Sequence, residues 1–182
     1  MYRFKIEPGL ALKPLESRDA DALYQMIDQS RSHLRTYLPF IDLTESVNDT
    51  KRFVNTTVRD NAIEQSFVSV IMVDEQVAGL VGMNSINWQS KNAMLGYWLG
   101  EPFVRKGVMT KATRAIIDYA FNELDLNRVE IRAATTNKAS RGVAEKLNFT
   151  QEGILREVEW VNGHFVDLVV YGMLKREWQM KE

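Results

Sequence analysis

The 182-residue sequence predicts an α+β fold, a central sheet with helices packed on it, from three observations. Segments of period-two alternation are joined in pairs by tight-turn dipeptides, Asp74-Glu75 and Asn162-Gly163. Elsewhere apolar residues recur at helical spacing. Strands and helices interleave along the chain with no repeat, low-complexity tract or linker, as in a single sheet covered by helices. From the N-terminus, Leu10–Leu15 alternates and reads as a strand. Asp19–Gln29 reads as a helix capped by Ser17 or Asp19, and His33–Leu43 is irregular and apolar. Asn48–Glu64 is a second helix, with Phe53, Val54, Thr57 and Val58 on one side. Phe67–Val73 and Gln76–Ile86 form a hairpin, and Lys91–Leu99 is the next strand. A turn through Gly100–Gly107 leads into a helix whose apolar stripe is Val108, Ala112, Ala115, Ile116, Tyr119 and Ala120. Arg128–Ala134 alternates, Lys138–Leu147 is helical through Val143, Ala144 and Leu147, and Ile154–Val161 pairs with His164–Leu174.

Composition narrows the function. The length is that of one domain spanning 1–182. Hydrophobic residues at 45% and charged residues at 26% match a soluble globular protein. A net charge of −1 gives no general attraction to nucleic acid or anionic membrane. No apolar run is long enough to span a bilayer, so a cytoplasmic location is the default expectation. The absence of cysteine excludes disulfides, thiolate metal sites and a cysteine acyl-enzyme. His33 and His164, the two histidines, stand in no metal-binding spacing, so no metal site is expected.

The helix after Gly107 carries its charges against the helix dipole. Arg105, Lys106, Lys111 and Arg114 crowd its start, while Asp118, Glu123 and Asp125 gather at its end. The dipole favours the reverse by about 0.3–1 kcal/mol per charge. A basic, acid-free helix start following a strand suits an anion such as a phosphate, held by free backbone N–H groups. The same pattern also fits a solvated helix end with chance charges.

Several segments together resemble one family: Leu34–Phe40 (LRTYLPF), Leu95–Leu99 (LGYWL), Arg105–Thr110 (RKGVMT), Asn137–Ser140 (NKAS), Val143–Phe149 (VAEKLNF) and Glu152–Arg156 (EGILR). Their order and spacing are similar to the GNAT superfamily of acyl-CoA-dependent N-acetyltransferases, and within it to the RimJ/RimL ribosomal-protein type. The resemblance implies α/β/α layers around a mixed, mostly antiparallel sheet, acetyl-CoA as cosubstrate, and a homodimer or higher homo-oligomer. The family's pyrophosphate loop, Gln/Arg-x-x-Gly-x-Gly/Ala, meets Val104, Gly107 and Met109 here, and only Gly107 matches. Backbone N–H groups do most of the phosphate holding, so the missing side chain puts one contact in doubt. By this resemblance the cofactor is held by Trp98, Leu99, Arg105, Lys106, Gly107, Val108, Met109, Thr110, Asn137 and Ser140. The strand Leu95–Leu99 would splay from its neighbour and offer its backbone to the pantetheine arm. Gly96 within it fits a bulge or the close approach of another backbone.

Catalytic roles also follow from the resemblance. Ser140 would protonate the leaving thiolate, an undemanding step because a thiol pKa is about 8.5. Asn137 is also a natural helix cap, and Tyr171 is the competing acid. Glu159 falls where the family places its candidate general base. Alternation puts Glu157 and Glu159 on one face, opposite Val158 and Trp160, which leaves either a groove-facing Glu159 or a solvated pair. A peptide α-amine has a pKa of about 7.7–8.0 against about 10.4 for lysine, so a carboxylate base suits an α-amine better. Tyr37, Leu38 and Phe40 would line the acceptor side, although such a cluster also suits core or dimer packing. The acceptor stays open between a protein N-terminus and a small amine, either a polyamine, an amino acid or an amino-sugar antibiotic. A non-catalytic CoA-binding module and a phosphate-binding protein are the other readings, and the latter lacks a Gly-Lys-Ser/Thr run.

Overall fold

A computed structural model describes residues 4–180. Eight strands form one sheet: β1 (Phe4–Glu7), β2 (Leu10–Pro14), β3 (Phe67–Val73), β4 (Gln76–Asn87), β5 (Asn92–Leu99), β6 (Arg128–Ala134), β7 (Thr150–Val161) and β8 (His164–Leu174). Their spatial order is β1-β2-β3-β4-β5-β6-β8-β7. Every neighbouring pair is antiparallel except β5 and β6. The helices are α1 (Ala20–Gln29), α2 (Arg31–Leu34), α3 (Val47–Ala62), α4 (Val108–Asn122), α5 (Lys138–Lys146) and α6 (Lys175–Gln179). No helix among the described residues is long and apolar enough to cross a membrane.

Alternation along the strands splits the core into two layers. On β3, Val68, Val70 and Met72 face α1 and α3, while Ile71 faces α4 and α5. On β5, Ala93, Leu95 and Leu99 join the α4–α5 layer, and Trp98 joins the other. From α4 the sheet receives Val108, Ala112, Ile116, Ile117, Ala120 and Phe121, all buried. Of the expected stripe, Ala115 and Tyr119 sit only half-buried at its margin. Likewise Val54 and Thr57 of α3 are buried, whereas Phe53 is 51% exposed.

Both anticipated hairpin turns place two residues in the left-handed region. Asp74 and Glu75 have φ of 46° and 63°, and Asn162 and Gly163 have 50° and 80°. Such turns match the twist of paired strands. Three elements were not legible: β1 and α2 have four residues each and α6 has five, too few to display a period. β7 begins at Thr150, four residues before the expected Ile154, because its first residues form an exposed polar edge. The stretch His33–Leu43 contains the end of α2 and a short 3-10 turn, Pro39–Ile41.

Phe121 is fully buried, with its ring centroid 6.4 Å from that of Trp178 on α6. Phe121→Ala is expected to lower stability by about 3–5 kcal/mol, read from the urea midpoint.

Candidate active site

The parallel pairing of β5 with β6 runs from Asn92↔Arg128 to Leu95↔Ile131 and stops there. β5 continues to Leu99 and β6 to Ala134, so the two strands part and leave an opening in the sheet. Gly100 N–H bonds to Ala78 O at 2.8 Å on the β4 side. Antiparallel alternation then turns the backbone groups of Gly96 and Trp98 toward β4, and those of Tyr97 and Leu99 toward the opening. The Trp98 side chain is buried in the α1–α3 layer. Of the two strand residues expected to meet a cofactor, Leu99 offers its backbone to the opening, and Tyr97 joins it. Gly96 is approached closely by a side chain rather than a backbone. The bulge lies in β4 at Asn84, and a Cβ on Gly96 would come within 2.0 Å of Asn84 Nδ2.

The loop from β5 to α4 is built for close approach. Ser30 Oγ accepts the Glu101 N–H at 2.9 Å, tying the loop to the end of α1. Arg105 and Gly107 both adopt left-handed backbones, with φ of 62° and 75°, and Gly107 is the residue preceding α4. No side chain caps α4, and no acid stands in its first turn. The first intrahelical bond runs from Lys111 N–H to Gly107 O, so the N–H groups of Val108, Met109 and Thr110 precede it. The charge excess at this helix start is smaller than the sequence implies. Lys111 Nζ pairs with Glu7 at 2.7 and 2.8 Å, and the Arg114 guanidinium lies 5.1 Å from the centre of the Trp178 ring. Arg105 and Lys106, both exposed, remain for an anion, with Lys106 Nζ 6.0 Å from the Phe103 ring centre.

Beyond β6, Asn137 caps α5, its Oδ1 accepting the Ser140 N–H at 3.1 Å. Asn137 Nδ2 is not used in this cap. The Ser140 hydroxyl lies 3.1 Å from the Tyr97 hydroxyl, which is also 3.2 Å from Ser140 O. Burial pushes the Tyr97 pKa up to about 12, partly offset by its bond to Ser140. Tyr171, the competing acid, is 1% exposed. It donates its hydroxyl to Glu145 at 2.9 Å and accepts from Arg141 Nε at 2.9 Å. Its proton is therefore committed away from the opening.

The segment expected to line the acceptor side is strapped to its neighbours by backbone-directed bonds. Tyr37 Oη donates to Thr136 O at 3.0 Å, beside Asn137. Asn162 Nδ2, at the tip of the β7–β8 hairpin, donates to Arg35 O at 2.9 Å. Arg31 holds Ile41 O at 2.8 Å and Thr44 O at 2.9 Å. Leu38 packs against the α1–α3 layer, while Phe40 is 39% exposed. Thus Tyr37 is tied to Thr136 before α5, and the neighbouring Arg35 to the hairpin tip, while no hydrogen bond among the described residues brings Leu38 or Phe40 to either.

Glu159 lies on that hairpin. Two extra residues between Leu155 and Glu159 break the register with β8, and Glu157 takes a left-handed backbone with φ of 49°. Simple alternation therefore does not describe this pair. Glu157 is exposed, its N–H donating to Asp167 Oδ1 at 2.8 Å. Glu159 is half-buried, and burial raises its carboxyl above the ordinary value. Trp160 and Phe165 stand nearby as an exposed edge-to-face pair, centroids 4.7 Å apart.

The Tyr97 hydroxyl, the Asn84 bulge and the Asn162 strap were not read from the sequence. LGYWL pointed to the strand carrying Tyr97, and Gly96 to a bulge within it, but no local pattern puts the bulge on the partner strand or shows that a turn asparagine reaches another loop.

The parting of β5 from β6 and the uncapped, acid-free start of α4 lie where the family resemblance places the cofactor. A family model described as an acetyltransferase (GNAT) domain matches residues 10–150. The chain belongs to the GNAT acetyltransferases and is an acetyl-CoA-dependent N-acetyltransferase. YdaF of Bacillus subtilis (strain 168), provisionally named a ribosomal N-acetyltransferase, is 33% identical over 180 residues, 98% of each chain. The ribosomal-protein-serine acetyltransferase of Escherichia coli (strain K12) is 26% identical over 170 residues, covering 93% of this chain and 95% of that one. A solved RimL, a ribosomal L7/L12 α-N-protein acetyltransferase in complex with coenzyme A, superposes with a TM-score of 0.92. It is 25% identical, and the match covers 95% of this chain and 98% of that one.

A Cβ on Gly107 would meet nothing within 4 Å, so substitution there is opposed by backbone conformation alone. Gly107→Ala should therefore cost about 1–2 kcal/mol in urea unfolding. Gly107→Glu, which adds a carboxylate at the helix start, should abolish acetyl-CoA binding in calorimetry.

Proposed function

We propose that the chain is one catalytic unit that transfers acetyl directly to the N-terminal α-amine of a protein, and of a ribosomal protein in particular. The observation that carries this is the half-buried Glu159, on the hairpin that Asn162 straps to the opposite wall. A carboxylate raised toward neutrality is a better-matched base for an α-amine than for a lysine side chain. The names of the relatives above support a ribosomal acceptor.

The residues present fit acetyl-CoA. Leu99 and Tyr97 have outward backbone groups for the amides of its arm, and Asn137 has a free amide nitrogen. The N–H groups from Gly107 to Thr110, with Arg105 and Lys106, suit its phosphates. Acetyl-CoA supplies the thioester whose acetyl carbon is attacked. Glu159 takes the amine's proton, directly or through a water. A backbone N–H facing the opening stabilises the oxyanion, a preorganised donor of the kind that contributes most in acyl transfer. Ser140 gives its proton to the departing sulfur. Tyr37, Leu38 and Phe40 form the wall along which the acceptor lies.

The amine must meet an ionised Glu159, so turnover falls as pH drops through the Glu159 pKa. Because burial raises that pKa, the loss begins at a higher pH than for an ordinary carboxylate. Glu159→Gln is expected to lower kcat by about 10²-fold and remove this acid limb, while Glu157→Gln keeps both. Coenzyme A release should be measured with free-N-terminus peptides, N-acetylated peptides containing lysine, and polyamines. Turnover of the first set alone supports the proposal, and turnover confined to polyamines overturns it.

A further inference from the structure

A serine hydroxyl rotates freely, and nothing in its own geometry makes its hydrogen point at a leaving group. Around Ser140 the protein supplies one further hydroxyl. Tyr97 Oη is 3.1 Å from Ser140 Oγ and 3.2 Å from Ser140 O, nearly equidistant from a hydroxyl that both donates and accepts and a carbonyl that only accepts. Two arrangements result. When Tyr97 donates to the carbonyl, the Ser140 hydrogen can turn back onto Tyr97 Oη. When Tyr97 donates to Oγ, the Ser140 hydrogen is turned away from Tyr97 and is free for the opening.

We propose that Tyr97 is the positioning residue of the acid step, its hydroxyl holding Ser140 Oγ so that the Ser140 hydrogen is presented to the leaving sulfur. The inference rests on the assignment of Ser140 as that acid. The C–S bond breaks with its electron pair on sulfur, and the Ser140 proton passes to that sulfur. Oγ, carrying negative charge for that moment, accepts from Tyr97, and water restores its proton. Hydrogen bonds to charged oxygen are roughly twice as strong as neutral ones, so this contact strengthens as the sulfur leaves. Burial keeps Tyr97 protonated up to about 12, so the donor is present throughout the working pH range. Its position explains why it can serve both ends of the site. Tyr97 stands two residues past Leu95, the last residue of β5 paired with β6, and its hydroxyl reaches the first turn of α5. The Tyr97–Ser140 contact thus joins the two walls of the opening beside the point where they part.

The test is a double-mutant cycle on full-length protein with Tyr97→Phe and Ser140→Ala. Tyr97→Phe keeps the ring and its packing and removes one hydroxyl. It should lower kcat about tenfold, the loss of one charge-assisted hydrogen bond, with KM for acetyl-CoA unchanged. The double variant should turn over at the rate of Ser140→Ala alone, because without Oγ there is nothing for Tyr97 to hold. A merely structural role would give a loss that multiplies with that of the serine variant. An impaired Ser140→Ala beside a fully active Tyr97→Phe, or losses that multiply, would overturn the inference and leave the acid assignment standing. Wild-type kcat in Ser140→Ala would overturn both together.

Discussion

Two parallel strands that stop pairing partway leave backbone donors and acceptors without partners, and this interruption after Leu95 and Ile131 organises the molecule. Unpaired backbone groups removed from water are costly, at about 1–3 kcal/mol each. Here they face an opening, while β5 stays paired with β4 along its other edge. The walls of the opening are held by contacts that do not close it. Ser30 fixes the start of the loop at Glu101, and Tyr97 reaches across to Ser140. The result is a slot with outward backbone groups, matched to a ligand arm that carries amides of its own.

The charges near the slot divide into those that build and those left to bind. Lys111 and Arg114 secure α4 to β1 and to Trp178, and Asp118 accepts the Trp178 indole N–H at 2.7 Å. At the far end, Asp125 accepts from Lys91 at 2.5 Å and Lys175 at 2.7 Å, which holds its pKa at about 2. The reversed charge order of α4 is therefore mostly anchoring, with Arg105 and Lys106 as the exposed remainder. An uncapped start and a left-handed Gly107 leave backbone N–H groups there that the charge count does not reveal.

Hydrogen bonds also strap three further segments into one unit. The Arg35–Phe40 loop, the β6–α5 turn at Thr136 and the hairpin tip at Asn162 are separated widely in sequence but share hydrogen bonds. Glu159 rides on the same hairpin, in a register broken by two extra residues. Its half-buried state follows from that bulge, and its raised pKa follows from the burial.

By itself the sequence determined the order of all but the shortest elements and both tight turns. These are set by local periodicity and by turn chemistry, which act over a few residues. Even Gly107 was legible, because a left-handed residue before a helix favours glycine. Tertiary structure alone decided where β5 and β6 part, which strand residues turn their backbone to the gap, and that Tyr97 meets Ser140 while Tyr171 is committed to Glu145. It also decided which basic residues are free and that Glu159, not Glu157, is half-buried. Each of these depends on what a distant segment places opposite a residue, and neither spacing nor composition carries that information.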